Sequence, residues 1–132
     1  MTAVLNRLAP HILSLLRVAA ALLLLQHGTT KILHFPATQM SGISLSNPAG
    51  IAGLIELIGG ALLLIGLFSR PTAFILSGMT AVAYFMVHAP QNFFPLLNGG
   101  ELAALYSFVF FYIFFAGPGP WSVDALRGAE KA

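Results

Sequence analysis

Six residues of this 132-residue chain carry a titratable or hydrogen-bonding head inside, or at the edge of, an apolar run: His27, Lys31, Glu56, Tyr84, His88 and Glu101. Such groups can do specific chemistry where water is scarce. Histidine titrates near neutrality and a buried glutamate can be tuned upward, so His27, His88 and Glu56 are the candidates for proton exchange, the catalytic set. Lys31 can attract an anion, Tyr84 can stack or donate a hydrogen bond, and Glu101 can carry a proton; these three form the binding set. A charge in hydrocarbon costs about 2.5–3.5 kcal/mol on insertion scales and is tolerated where it is paired or hydrated.

Their spacing is helical. His27, Thr30, Lys31 and His34 fall at i, i+3, i+4 and i+7, one face of an α-helix. Glu56 shares its face with Ala52, Gly53, Gly59 and Gly60, small residues that let helices approach, so its carboxylate points into a bundle. Ser77, Thr80 or Ala81, Tyr84 and His88 form a third stripe, and Glu101 opens a fourth apolar run. Four antiparallel helices bring all six groups to one layer. Plainer readings stand beside this one. Lys31 can snorkel outward from a helix end, Glu101 can simply complement a helix dipole, and His34 and His88 can be interfacial. Tyr84 can be core packing, and Glu56 with Lys31 can be a purely structural pair. A metal set of His27, His88, Glu56 and Glu101 is disfavoured. No Glu-x-x-His pair is present, Lys31 opposes a cation, and the two histidines differ in expected depth for a heme.

The elements that hold these groups follow from composition. The chain is 58% hydrophobic and only 8% charged, too few charges to cover a soluble domain. The expected fold is an all-α membrane protein, a four-transmembrane-helix up-and-down bundle in a single domain. Its helices are expected at about 11–35, 49–68, 71–88 and 99–116, followed by a solvated cytoplasmic tail, 117–132. The first run is read as a retained span rather than a signal peptide. It is too long, and it leads into Gln26, His27, Gly28 and Lys31 instead of a small-residue cleavage site. Ser69 is placed to cap the third helix, with Pro71 at its first position, and Asn98-Gly99-Gly100-Glu101 resembles a capping box. Gly117-Pro118-Gly119-Pro120 stops the fourth helix, and Trp121 suits an interfacial anchor.

Arg7, Arg70, Arg127 and Lys131 fall at one end of such a bundle, while the long loops 36–48 and 89–100 hold no Lys or Arg. The positive-inside rule then puts both termini in the cytoplasm. Arg17, Arg70 and Asp124, at this end, are read as structural; Arg17 either snorkels to lipid phosphate or pairs with Asp124. Cysteine is absent, which removes disulfides and thiol relays, and there is no basic run or nucleic-acid footprint.

Several motifs occur in order: Arg17…His27-Gly28-x-x-Lys31, Glu56-Leu57-Ile58-Gly59-Gly60, Gly66-Leu67-Phe68-Ser69-Arg70, Ala83-Tyr84-Phe85-x-x-His88, Asn98-Gly99-Gly100-Glu101, and Gly117-Pro118-Gly119-x-Trp121-Ser122-x-Asp124. Together they resemble the DoxX family along nearly the whole chain from Arg17 to Asp124. The resemblance implies a four-helix protein of the bacterial inner membrane. It also implies a link to quinone-linked respiration, thiosulfate oxidation, quinone or thiol stress, or an oxidoreductase assembly. Two functions follow. One is a quinone-interacting redox component, with His27 and His88 as donors, Glu56 and Glu101 as proton carriers, and electrons from a soluble oxidoreductase, a sulfur-transfer partner or an anion such as thiosulfate. The other is a non-catalytic scaffold or assembly subunit, a homo-oligomer among the options. On that reading an aromatic helix of Phe108, Phe110, Phe111, Phe114 and Phe115 faces lipid or a partner.

Overall fold

A computed structural model describes residues 1–128; Glu130 and Lys131, placed above in the tail, lie outside the described residues. Helix α1 (Thr2–Gly28) continues through a π-helical turn, Thr29–Leu33, and α2 spans Pro48–Ile65. Helix α3 (Ser69–Ala83) also ends in a π-helical turn, Tyr84–His88. A single-turn helix α4 (Pro95–Asn98), the helix α5 (Glu101–Ala116) and a short α6 (Val123–Leu126) complete the chain. The described residues contain no strand.

Three of these helices are long and apolar enough to cross a membrane: 32 residues in the first, 18 in the second and 20 in the third, π turns included. The fourth is shorter than expected. Helix α5 has 16 residues, about 24 Å at 1.5 Å per residue, against a hydrocarbon core of about 30 Å. The first helix begins at Thr2 rather than near residue 11, because Pro10 is accommodated within it and no breaker precedes it.

Local signals set most of the ends. Asn47 accepts the Ala49 N–H at 2.9 Å with Pro48 at the first helical position, where a missing N–H costs nothing. Helix α2 stops at Gly66 in the left-handed region, φ 72°. Bonds from Gly66 N to Leu63 O and from Leu67 N to Leu62 O satisfy the last carbonyls. Helix α3 differs from expectation. Ser69 does not cap it; Phe68 precedes it in a left-handed conformation, and the cap comes from the distant Asp124. The capping box at Asn98 is also absent. Gly100 is the N-cap of α5 and supplies no side chain, while Asn98 Oδ1 instead takes the Gly100 N–H at 2.8 Å.

The helices pair as two hairpins, α1 on α2 and α3 on α5, joined mainly through α2 and α3. Small residues set the first pairing: a Cβ on Gly28 would lie 2.7 Å from Leu57 Cα, a backbone contact that no side chain can relieve. Reciprocal hydrogen bonds hold the second, Ser77 Oγ to Ser107 O at 2.8 Å and Ser107 Oγ to Ser77 O at 3.1 Å. Ala20, Ala21, Leu24, Leu63, Leu76, Phe110 and Ile113 fill the shared core. Large apolar side chains such as Leu23, Ile58, Phe74 and Phe108 point outward, as a lipid solvent allows.

Candidate functional site

Lys31 and Glu56 meet. Lys31 lies in the π-helical turn that ends the first helix, and its stem runs over Gly53, where a Cβ would come within 2.8 Å of Lys31 Cδ. Gly53 is three residues before Glu56, so the bare glycine gives the lysine a track to the carboxylate. The Nζ donates to Glu56 Oε2 at 2.8 Å, with the side chains only 11% and 10% exposed. His27, one turn before Lys31, is half-buried and lies within electrostatic reach of the Glu56 carboxylate. These three groups form one cluster on the α1–α2 hairpin.

Tyr84 and His88 form a second cluster on the other hairpin, in the π turn that ends α3. His88 Nδ1 is 3.0 Å from Asn98 O, and its ring lies stacked 6.4 Å from that of Tyr84. Asn98, buried at 4% exposure, donates from Nδ2 to Tyr84 Oη at 3.3 Å and to Asn92 O at 3.0 Å. Of the six residues expected in one layer, His27, Lys31 and Glu56 are brought together on one hairpin, and Tyr84 and His88 on the other. Glu101 joins neither: it is exposed at the start of α5, beside Pro95, Leu96 and Leu105. His34, expected on the face of Lys31, is also exposed, because the π turn widens the helix and leaves His34 left-handed at φ 59°. Among the described residues no three His, Asp or Glu side chains come together, and His88 and Glu101 are not joined to His27 and Glu56 in a ligand set.

Two further residues bear on these clusters. Thr30 Oγ1 bonds Thr38 Oγ1 at 2.8 Å and tethers the loop that follows the first helix. Tyr106, on α5, is 6% exposed, stacks on Phe110 at 5.4 Å, and lies within reach of the Glu56 charge. Its hydroxyl is buried and has no hydrogen-bond partner among the described residues. In the sequence Tyr106 is one more aromatic in an aromatic helix, and no local signal separates it from packing.

The opposite end holds a further set of buried polar side chains, Ser14, Arg17, Ser69, Ser122 and Asp124. Arg17 is 1% exposed and neither snorkels nor forms an ion pair with Asp124. Its Nη1 donates to Pro118 O and its Nη2 to Trp121 O at 2.6 Å, so it terminates the Gly117–Trp121 turn. Ser14 Oγ accepts the Trp121 N–H at 3.1 Å, and Trp121 packs edge-on to His11 at 5.2 Å. Arg70 donates from Nη1 to Phe114 O at 2.8 Å and Phe115 O at 2.6 Å, the last carbonyls of α5. Asp124 is buried, not solvated. It accepts Phe68 N–H at 3.0 Å and Ser69 N–H at 2.8 Å, where a carboxylate also complements the α3 dipole.

Apolar helices of this length, lipid-facing outside and ion-paired within, define a multi-pass helical membrane protein. The chain belongs to the DoxX family, whose description, DoxX, matches residues 12–89. That match takes in Lys31, Glu56, Tyr84 and His88. An uncharacterized protein of Haemophilus influenzae is 43% identical over 125 residues, an alignment covering 91% of this chain and 93% of the relative. No solved structure matches.

Proposed function

We propose that this chain is a bacterial inner-membrane component of a quinone-linked redox system, spanning the bilayer four times with both termini in the cytoplasm. The observation that carries this reading is the Lys31–Glu56 pair, about 10% exposed, set in apolar helices beside an orphaned tyrosine hydroxyl. A quinone headgroup needs hydrogen-bond donors for its carbonyls and a nearby group that exchanges protons; Lys31, His27 and Glu56 provide these. When bound, the quinone supplies the two-electron, two-proton couple that the side chains of this chain lack. Glu56 holds or releases a proton at its carboxylate, Lys31 Nζ keeps that carboxylate oriented, and the buried setting excludes bulk water. An apolar groove of about 250 Å³ between α2 and α3, lined by Leu54, Ile55, Ile58, Leu62, Ile75 and Leu76, suits an isoprenoid chain. Electrons come from a soluble oxidoreductase or sulfur-transfer partner, since cysteine is absent. Lys31, matched by Glu56, is not a free anion site. Topology rests on the Lys and Arg bias, with Arg7, Arg70 and Arg127 at the end opposite Lys31.

A second reading, a scaffold for an oxidoreductase complex, is favoured by α5. Phe108, Phe111, Tyr112 and Phe115 are exposed along it, whereas Phe110 is buried in the core. The two readings separate in one experiment: organic extraction of purified protein and mass spectrometry for quinones, beside Glu56→Gln. Quinone retained by the wild type and lost from the variant supports the redox component. Two well-folded, quinone-free samples and a stably co-purifying soluble enzyme favour the scaffold.

A further inference from the structure

We infer that Tyr106 donates a hydrogen bond to a carbonyl of the quinone held at the Lys31–Glu56 pair, so that the ligand lies between the two helical hairpins. This inference rests on the quinone reading above and adds to it a residue, a position and a direction of hydrogen bonding. The first observation is the orphaned hydroxyl. Tyr106 is 6% exposed, and its buried Oη has no acceptor among the described residues, although buried polar atoms nearly always have a partner. The second is its neighbourhood. Tyr106 belongs to α5, while Lys31 and Glu56 belong to the α1–α2 hairpin, yet the Glu56 charge reaches the phenol. The third is the helix around it. Phe108, Phe110, Phe111, Phe114 and Phe115 carry no hydroxyl, and Tyr112, which does, is 57% exposed, so Tyr106 is the ring of α5 that buries one. Phenylalanine at 106 would stack on Phe110 equally well and leave nothing unsatisfied. A hydroxyl kept there without a protein acceptor fits a ligand acceptor. Glu56, paired to Lys31, and Tyr106 then address the headgroup from opposite hairpins. Tyr84, engaged by Asn98, is left outside the site.

The test titrates decylubiquinone into the purified full-length chain in nanodiscs, with thermal unfolding of the quinone-free protein recorded in parallel. Tyr106→Phe should weaken binding about 2- to 12-fold, the worth of one neutral hydrogen bond, while quinone-free unfolding stays level or rises. If Glu56→Gln weakens binding and Tyr106→Phe leaves it unchanged, the role of Tyr106 is overturned and the quinone reading survives. If the wild type binds no decylubiquinone, both are overturned. Should the phenylalanine variant fail to fold, 3-fluorotyrosine at position 106 keeps the shape and makes the hydroxyl more acidic. Tighter binding is then expected, and unchanged affinity overturns the inference.

Discussion

Removing the Asp124 carboxylate should loosen the junction between α2 and α3, although the residue lies 55 positions beyond Ser69, the first residue of the helix it caps. Both carboxylate oxygens are used, on Phe68 N–H and Ser69 N–H. Hydrogen bonds to a charged acceptor contribute roughly 1.5–3 kcal/mol each. The freed N–H groups lie at a helix end and regain some water, so Asp124→Ala should cost about 3 kcal/mol, the lower bound for two bonds. Asp124→Asn keeps one acceptor oxygen and should cost about half of that. Burial opposes the charged form of Asp124. The Ser69 and Phe68 N–H bonds, the nearby Ser69 hydroxyl (which lies outside hydrogen-bond geometry) and the Arg127 charge outweigh it and hold the carboxyl below its ordinary range. A depressed pKa stabilises the fold above the unfolded-state value, about 3.9, and that contribution disappears as pH falls through the lower folded value. The gap between wild type and Asp124→Asn should therefore be constant near neutrality and close below about pH 4. Equilibrium unfolding in mixed micelles across pH measures both. A loss under about 0.5 kcal/mol for Asp124→Ala, or a gap that persists at acid pH, would refute the cap.

Three more outcomes are expected. Glu56→Gln alone should destabilise by about 3 kcal/mol by stranding Lys31. Adding Lys31→Met should recover most of it, and a double-mutant cycle in mixed micelles reads the coupling. Gly28→Ala should cost about 1–3 kcal/mol, since its Cβ meets backbone across the α1–α2 crossing; wild-type midpoints would contradict that contact. Arg17→Lys replaces a guanidinium fork with a single ammonium and cannot serve both Pro118 and Trp121. Faster hydrogen exchange over residues 117–126, with the Lys31–Glu56 end unchanged, is the expected signature.

The helices, the glycine track and the Lys31–Glu56 meeting were legible because each leaves a pattern in the sequence: apolar length, small residues at helical spacing, and opposite charges at matching depth. The division of the polar groups was not. It depends on two π-helical turns, Thr29–Leu33 and Tyr84–His88, and a one-residue widening has no compositional sign. Helical wheels drawn at 3.6 residues per turn put His34 beside Lys31; the wider turn removes it. Asn98 resembled a cap because its sequence context is that of a cap, but its Oδ1 is taken by the Gly100 N–H ahead of α5, while its amide donates to the Tyr84 hydroxyl and the Asn92 carbonyl. Arg17 and Asp124 were read by charge, Arg17 as snorkelling to lipid phosphate or as pairing with Asp124. The turn at Gly117–Trp121 offers Arg17 backbone carbonyls, and the open end of α3 offers Asp124 backbone N–H groups, and neither is visible without the fold.

The seat of Arg17 also bears on the order in which the protein is made. Its acceptors, Pro118 and Trp121, are 101 and 104 residues further along the chain. During synthesis the first helix reaches the lipid long before either carbonyl has left the ribosome. Until then its guanidinium has only the long 3.5 Å bond to Leu64 O on α2, and its other donors turn to lipid headgroups, insertase or water. The α1–α2 hairpin therefore waits in a provisional state until a turn made about a hundred residues later locks Arg17 in place.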